Sequence, residues 1–271
     1  MDAVEHENRY VHAVYEAIGD HFSATRYRTW PRVQAFLEQL AHEALVLDSG
    51  AGNGKYALPV LRQHGYYIAA DRCRRLLLRA RWQSDALEAQ ETALLPVECV
   101  QADCLFLPFR SGVFDVALSI AVIHHVATAR RRVGAVVELG RVLRPTGHAL
   151  VYVWALRAIP LKLRLRAQST MDGYLLPWHH KRSTGADALP QKISDSPSQT
   201  YFRFYHLFEE DELRMLVEEA NAVSEEGAAT RWTLRITGET FDHQNYVVEF
   251  QRQNIHALLE DAADNILHPS I

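Results

Sequence analysis

The residues most able to do chemistry gather where an apolar run meets a glycine-rich turn. Leu45-Val46-Leu47-Asp48-Ser49-Gly50-Ala51-Gly52-Asn53-Gly54-Lys55 carries three glycines in five residues, directly after a strand-like stretch and before a helical pattern. Glycine at such a turn lets a ligand approach the backbone, and the helix start beyond it supplies free N–H groups. The dinucleotide fingerprint GxGxxG asks for a small residue at position 55, where Lys55 stands. Asp48, at the end of the run, instead offers a carboxylate to a cationic ligand. Asp71 closes the next apolar run about 20 residues beyond the loop, where a carboxylate accepts from two ribose hydroxyls. Asp103 follows a third run and can accept from an adenine amino group. These features point to S-adenosylmethionine, with Asp48, Gly50, Gly52, Asn53, Gly54, Asp71, Arg72, Asp103, Cys104 and Ile120 as the cofactor-binding set.

A fourth apolar run, Phe114 to Ile120, leads through Ala121-Val122-Ile123 into His124-His125. This puts an imidazole at the strand edge that carries Asp48 and Asp71. His124, first off the strand, is the better placed of the pair to serve a reaction.

Positioning these groups requires alternating strands and helices. Apolar runs at 44–47, 66–70, 97–102, 114–120 and 148–154 alternate with helical patterns at 56–64, 74–87 and 129–143, which is the signature of βαβ units. Two more strands, 231–237 and 245–251, predict a C-terminal hairpin. The expected fold is α/β and Rossmann-like, a seven-stranded, mostly parallel sheet with helices on both faces. Amphipathic spacing at Tyr10, Val14, Ile18 and Phe22, and Pro31 opening a second helix, place N-terminal helices over 9–41. The stretch 157–200 breaks the rhythm, with four prolines between Arg157 and Gln199, and reads as a long irregular insertion into a single domain of 271 residues. A helix is expected over 209–219, and another or a frayed tail over 254–267.

Hydrophobic residues at 48% and charged residues at 23% match a globular chain and exclude disordered or membrane composition. The acidic start lacks the basic region of a signal peptide. Cys73, Cys99 and Cys104 form no paired framework, and no HExxH spacing occurs among the 14 histidines, so no metal is expected. The net charge of −4 argues against a general nucleic-acid binder and throws weight on local basic clusters.

Further segments fit a known pattern in order. They are Tyr15-Glu16-Ala17-Ile18, His21 to Pro31, Asp48 to Tyr56, Leu118 to His125, Arg131-Arg132, Arg141 to Pro145, Leu150 to Ala155, Pro177-Trp178-His179, Arg203 to His206 and Phe241 to Tyr246. Together they resemble the eukaryotic tRNA wobble-uridine carboxymethyl methyltransferase family, from about Tyr10 to Gln251. Ala51 stands where that family usually has cysteine, and Phe241 and Gln244 where tyrosine and glycine are common.

The resemblance implies methylation of the carboxylate of 5-carboxymethyluridine at the wobble position of tRNA. It implies Arg26 as a bidentate fork for that carboxylate and His124 as a second donor. Tyr15 and Tyr27 would close the pocket, and His125 and Trp178 would lie on the substrate side. RNA contacts are expected from Arg72, Arg74, Arg75, Arg79 and Arg81, or from Lys162, Arg164, Arg166, Lys181 and Arg182 with Tyr174 and Trp178 in the insertion. The family also implies a heterodimer with a small zinc-binding activator subunit, docking on edge strand 97–102, in the cytoplasm or nucleus. A small-molecule carboxyl methyltransferase would share the cofactor half of the site, and a non-catalytic paralogue would keep the fold.

Overall fold

The computed structural model describes residues 1–88, 96–164, 167–179, 200–227 and 232–255. Five parallel strands come from the apolar runs: β1 (Leu45–Ser49), β2 (Tyr66–Asp71), β3 (Glu98–Gln101), β4 (Phe114–Ile120) and β5 (Leu143–Trp154). Successive side chains face opposite sides of a strand, so each central strand feeds two cores. Val46, Leu118 and Leu150 pack with Val33, Leu37, Val60 and Tyr67 on one face. Leu47, Ala117 and Val151 pack with Val136, Leu139, Leu213 and Val217 on the other.

Helices α1 (Ala3–Glu7) and α2 (Ala13–Thr25) are joined by a π-helical turn, Asn8–His12. The N-terminal helical stretch therefore starts earlier than position 9. Helix α3 (Pro31–Glu38) opens on its proline. Helices α4 (Ala57–Leu61), α5 (Arg74–Glu88) and α6 (Ala129–Val142) link the parallel strands. No helix among the described residues is long and apolar enough to cross a membrane.

The described residues of the insertion form regular structure that its composition does not suggest. After the short helix α7 (Leu161–Arg164), strands β6 (Gln168–Thr170), β7 (Gly173–His179) and β8 (Thr200–Tyr205) form a three-stranded antiparallel sheet of their own. Strand β8 pairs with β7 from Tyr174↔Tyr205 to His179↔Thr200. That partnership spans a sequence gap that local periodicity cannot show. Positions 166, 181 and 182 lie outside the described residues.

Helix α8 (Glu212–Gly227) starts three residues later than expected, because the Glu212 carboxylate reaches back to accept from the Glu209 N–H at 3.0 Å. Strands β9 (Trp232–Asp242) and β10 (Asn245–Asn254) then form the hairpin, and β10 pairs antiparallel with β5. The main sheet has seven strands in the order β3-β2-β1-β4-β5-β10-β9. Strand β3 is one edge, and the chain reverses direction of build between β1 and β4, where open α/β sheets bind ligands. The terminal segment expected over 254–267 lies outside the described residues from position 256.

Candidate functional site

A cleft of about 1390 Å³, including the solvent at its mouth, opens over the carboxyl ends of β1, β2 and β4. Its first half is built by the glycine turn. Gly50 and Ala51 donate to the Ala70 carbonyl at 2.7 and 3.0 Å, which bends the chain across the end of β2. Gly50, Gly52 and Gly54 have φ of 88°, 59° and 71°. A Cβ on Gly50 would overlap the Val122 side chain, whereas one on Gly52 would meet nothing within 4 Å and project into open space. Gly52 thus leaves room for a ligand against the backbone. Gly54 does not line the cleft; a Cβ there would stand 2.9 Å from Ala80, so its smallness serves the packing of α5.

Asp71 anchors this half. Its two oxygens accept from the N–H groups of Gly52 and Cys73, each at 2.8 Å, and burial raises its pKa despite those bonds. The Arg72 N–H bonds the same carboxylate, which leaves one of its four lone-pair sites for a hydroxyl. Asp48 is buried at the end of β1, where the Tyr67 hydroxyl donates to it. Burial pushes the Asp48 carboxyl up to about 7, held back by that hydrogen bond and by the Lys55 charge. Lys55, also in the cleft, is lowered by burial to about 8 and lies 5.0 Å from the Trp30 ring centre. Arg72 and Asp103 pair with each other at 2.5 Å, and Arg72 also donates to the Asn8 side chain at 3.0 Å. Asn53 is buried and donates to the Ser23 hydroxyl at 3.1 Å, which ties the glycine turn to the end of α2. Cys104 and Ile120 complete the wall, and burial pushes the Cys104 thiol up. Ala121, with φ of 63°, holds a left-handed conformation at the tip of β4 that no motif signalled.

The open space at Gly52, the carboxylate pair Asp71 and Asp48, and the largely apolar wall fit S-adenosylmethionine. In that fit Asp71 would accept from a ribose hydroxyl, the ionised form of Asp48 would suit a cation, and Asp103, beyond β3, would face the base. Among the described residues no group of three or more His, Cys, Asp or Glu could hold a metal.

The second half of the cleft joins Tyr15, Arg26, His124, His125, Trp154, Arg203 and Tyr205. Arg203 on β8 is 6% exposed, and its guanidinium donates to the Tyr15 hydroxyl at 3.2 Å. His125 Nδ1 lies 2.7 Å from the Phe204 carbonyl, so that nitrogen carries the proton, and Nε2, 2.9 Å from the Tyr15 hydroxyl, accepts. Burial lowers His125 to about 3. His124 is buried, its Nδ1 accepts from the Trp154 N–H at 3.2 Å, and burial, with the nearby Arg203 charge adding to it, drives its pKa well down. Both imidazoles are neutral, and His124 Nε2 is a donor.

Arg26, the C-cap of α2, is exposed and lies at the mouth. Its guanidinium carbon is 5.6 Å from the Trp178 ring centre, and that of Arg203 is 4.4 Å from the same ring. Trp178 is 9% exposed and packs with Val14 and Ile18, with Phe22 against them, outside the cleft lining. It is a platform for two cations rather than a surface on which an RNA base stacks. Tyr27 does not close the cleft. It is 59% exposed, because α2 ends at Thr25 and the chain turns outward, and it lines an adjoining basin with Arg28, Lys55 and Arg62.

The arginines of α5 are largely matched by carboxylates: Arg75 and Arg79 pair with Asp20, and Arg81 with Asp85. Arg203 had no assigned role in the sequence reading. A cation inside the aromatic run Tyr201-Phe202-Arg203-Phe204-Tyr205 is the signal that marks it.

Comparison with known proteins identifies the family and the fold. A methyltransferase-domain family model matches residues 47–151. The tRNA (carboxymethyluridine(34)-5-O)-methyltransferase of Schizosaccharomyces pombe is 40% identical over 221 residues, covering 80% of this chain and 90% of that protein. The corresponding enzyme of Xenopus tropicalis, alkbh8, is 34% identical over 255 residues, covering 80% of this chain and 38% of the longer protein. Solved structures share the fold at low identity. The 1,6-didemethyltoxoflavin-N1-methyltransferase of Burkholderia thailandensis, with S-adenosylhomocysteine bound, has a TM-score of 0.58 at 17% identity and covers 93% of this chain and 91% of its own. A Haloferax volcanii methyltransferase in complex with the Trm112 methyltransferase activator has a TM-score of 0.58 at 13% identity, covering 90% and 99%. With most of both chains aligned to the fission-yeast protein at 40% identity, this chain belongs to the tRNA (carboxymethyluridine(34)-5-O)-methyltransferase family.

Proposed function

We propose that the chain methylates the carboxylate of 5-carboxymethyluridine at the tRNA wobble position, using S-adenosylmethionine. One observation of the site carries this reading: among the described residues its acceptor half holds two cations, Arg26 and Arg203, and neither of its two imidazoles has a nitrogen free to take a proton. The accepting nitrogens of His124 and His125 are already engaged by Trp154 and Tyr15. An amine or hydroxyl acceptor would have to lose a proton there, whereas a carboxylate is ionised at neutral pH, with a pKa of about 4. S-adenosylmethionine supplies a methyl on cationic sulfur, which a carboxylate oxygen takes with its own lone pair while the C–S electron pair stays on sulfur. The chain's residues then hold the anion in line, a task of positioning and charge rather than proton transfer. Labelled methyl transfer to tRNA lacking the wobble ester, followed by nucleoside analysis, tests the reading. Label in a methyl ester at the wobble uridine supports it, and label elsewhere or in no RNA refutes it.

RNA contact belongs, in this reading, to the basin beside the cleft mouth. Tyr27, Arg28, Lys55 and Arg62 line it with the single carboxylate of Glu38, and Lys55 lines both cavities. A flanking nucleotide can place its phosphate there while the target base enters the cleft.

A small zinc-binding activator subunit is the proposed partner. Among the described residues strand β3 pairs only with β2 and so offers an edge for strand addition, and Leu78 and Trp82 on α5 are exposed beside it. Co-expression that raises solubility and activity supports this; a fully active lone chain that gains nothing from the subunit counts against it.

A further inference from the structure

Several buried and half-buried arginines among the described residues have partners that neutralise or cap them. Arg131 forms two hydrogen bonds with Glu7, at 2.9 and 2.6 Å, and Arg141 pairs with Glu138 at 2.6 Å. Arg132 lies 3.9 Å from Glu212 and 4.0 Å from Asp172, and Arg252 caps the carbonyls of Arg141 and Leu143. Arg203 has neither a carboxylate nor a pair of carbonyls: among the described residues the groups beside its charge are the phenols Tyr205 and Tyr15, and its Nε, like those of Arg132 and Arg252, has no hydrogen-bond partner there. Its guanidinium is enclosed by aromatic faces, 4.4 Å from the Trp178 centre and 5.1 Å from that of Tyr205. A cation desolvated in this way and left without a counter-ion is unfavourable until an anion joins it.

The cation is also held in one orientation. Arg203 donates to Tyr15, Tyr15 donates to His125 Nε2, and His125 Nδ1–H donates to the carbonyl of Phe204, the residue next to Arg203. The ring of bonds closes on the strand it starts from. Arg26, by contrast, is exposed and hydrated, so water replaces whatever it loses.

We infer that Arg203 is the specificity-determining residue of the acceptor site and makes the site require an anion. This rests on the carboxylate-methylation reading above and deepens it. A carbamoylmethyl group on the same uridine has nearly the shape of the carboxymethyl group but no charge, and it leaves the buried guanidinium uncompensated. The site therefore rejects the amide. The same physics acts on the product: esterification removes the acceptor's charge, so the methyl ester loses its hold on Arg203 and leaves.

The test uses the full chain saturated with S-adenosylhomocysteine and three anticodon stem–loop RNAs. These differ only in the uridine substituent: carboxymethyl, carbamoylmethyl or methoxycarbonylmethyl. The wild type binds the acid at least about tenfold more tightly than the amide or the ester, the scale of charge-assisted hydrogen bonds to a buried cation. Arg203→Met brings the ratio to about one with affinity for S-adenosylhomocysteine retained, while Arg26→Met weakens all three RNAs and keeps most of the ratio. If Arg203→Met loses S-adenosylhomocysteine binding through misfolding, Arg203→Lys decides the matter. It keeps the charge without the planar fork and lowers the ratio several-fold. A ratio unchanged in the folded variant, or equal binding of acid and amide by the wild type, overturns the inference. Methyl transfer by the wild type to the carboxymethyl RNA is measured alongside. Its absence defeats the functional reading as well, whereas transfer with an unaltered ratio defeats only the role of Arg203.

Discussion

The Arg203 guanidinium donates to the Tyr15 hydroxyl at 3.2 Å across 188 residues of chain, joining strand β8 of the insertion to helix α2 on the floor of the cleft. Neither residue belongs to the parallel sheet that binds the methyl donor. The acceptor half thus adds the N-terminal helices and the small sheet to His124, His125 and Trp154 at the ends of β4 and β5, and each addition holds the other in place.

Removing that hydroxyl tests the arrangement. Tyr15→Phe leaves the ring packed against Phe22 and His125 but frees the guanidinium to tilt. We expect kcat/KM for tRNA to fall about tenfold, the value of one hydrogen bond to a charged group, with affinity for S-adenosylmethionine within about twofold of wild type. An equal loss in both quantities would point to a general packing defect.

The glycine turn tolerates no side chain at its first position. Gly50→Ala sets a methyl against Val122 at a φ of 88°, so strain and overlap add. Calorimetry should show a loss of S-adenosylmethionine affinity of about tenfold or more, and thermal unfolding a drop in stability of about 1–3 kcal/mol. Gly52→Ala meets no protein atom within 4 Å and carries only the backbone strain of a φ of 59°, so its loss of ligand affinity should exceed its loss of stability.

Donor binding should depend on pH through Asp48. Burial lifts this carboxyl from 3.8 to about 7. A cationic ligand favours the ionised form, so affinity for S-adenosylmethionine should rise with pH until Asp48 is ionised, near 7, and level off above. Binding releases a proton below that point. Stability runs the other way: the folded carboxyl holds its proton more tightly than the unfolded one, so this group's contribution is full below about pH 4 and is lost as pH rises through 7. Asp48→Asn should flatten the affinity profile, which calorimetry in buffers of different ionisation enthalpy can follow.

Glu7 pins the N-terminal helices to the core by bonding the Arg131 guanidinium twice and accepting from the Ala127 N–H at 2.8 Å. Because Glu7 is buried, Glu7→Ala leaves three N–H donors, two of Arg131 and one of Ala127, without this partner. Denaturant unfolding should report a loss of about 3 kcal/mol.

The basin at the cleft mouth makes a separate prediction for RNA. The double variant Tyr27→Ala with Arg28→Ala should weaken tRNA binding about tenfold and reduce its salt dependence by roughly one counterion, with donor affinity unchanged. Unchanged salt dependence would place the RNA path elsewhere.

The alternation of apolar runs with helical patterns, the glycine turn, and the carboxylates Asp48, Asp71 and Asp103 at strand ends were all determined by the sequence alone. Each is local: a strand's burial period and the residues at its tip lie within one short window. What the tertiary structure decided were the relations between windows. Trp178 reads as an exposed RNA platform until β7 packs it against Val14 and Ile18. The α5 arginines read as a basic patch until Asp20 of α2 meets Arg75 and Arg79. Arg203 reads as one more charged residue until β8 folds over the cleft and buries it without a carboxylate. Whether a charge is paired, and which face a side chain buries, depends on which distant segment lies opposite, and no local pattern encodes that.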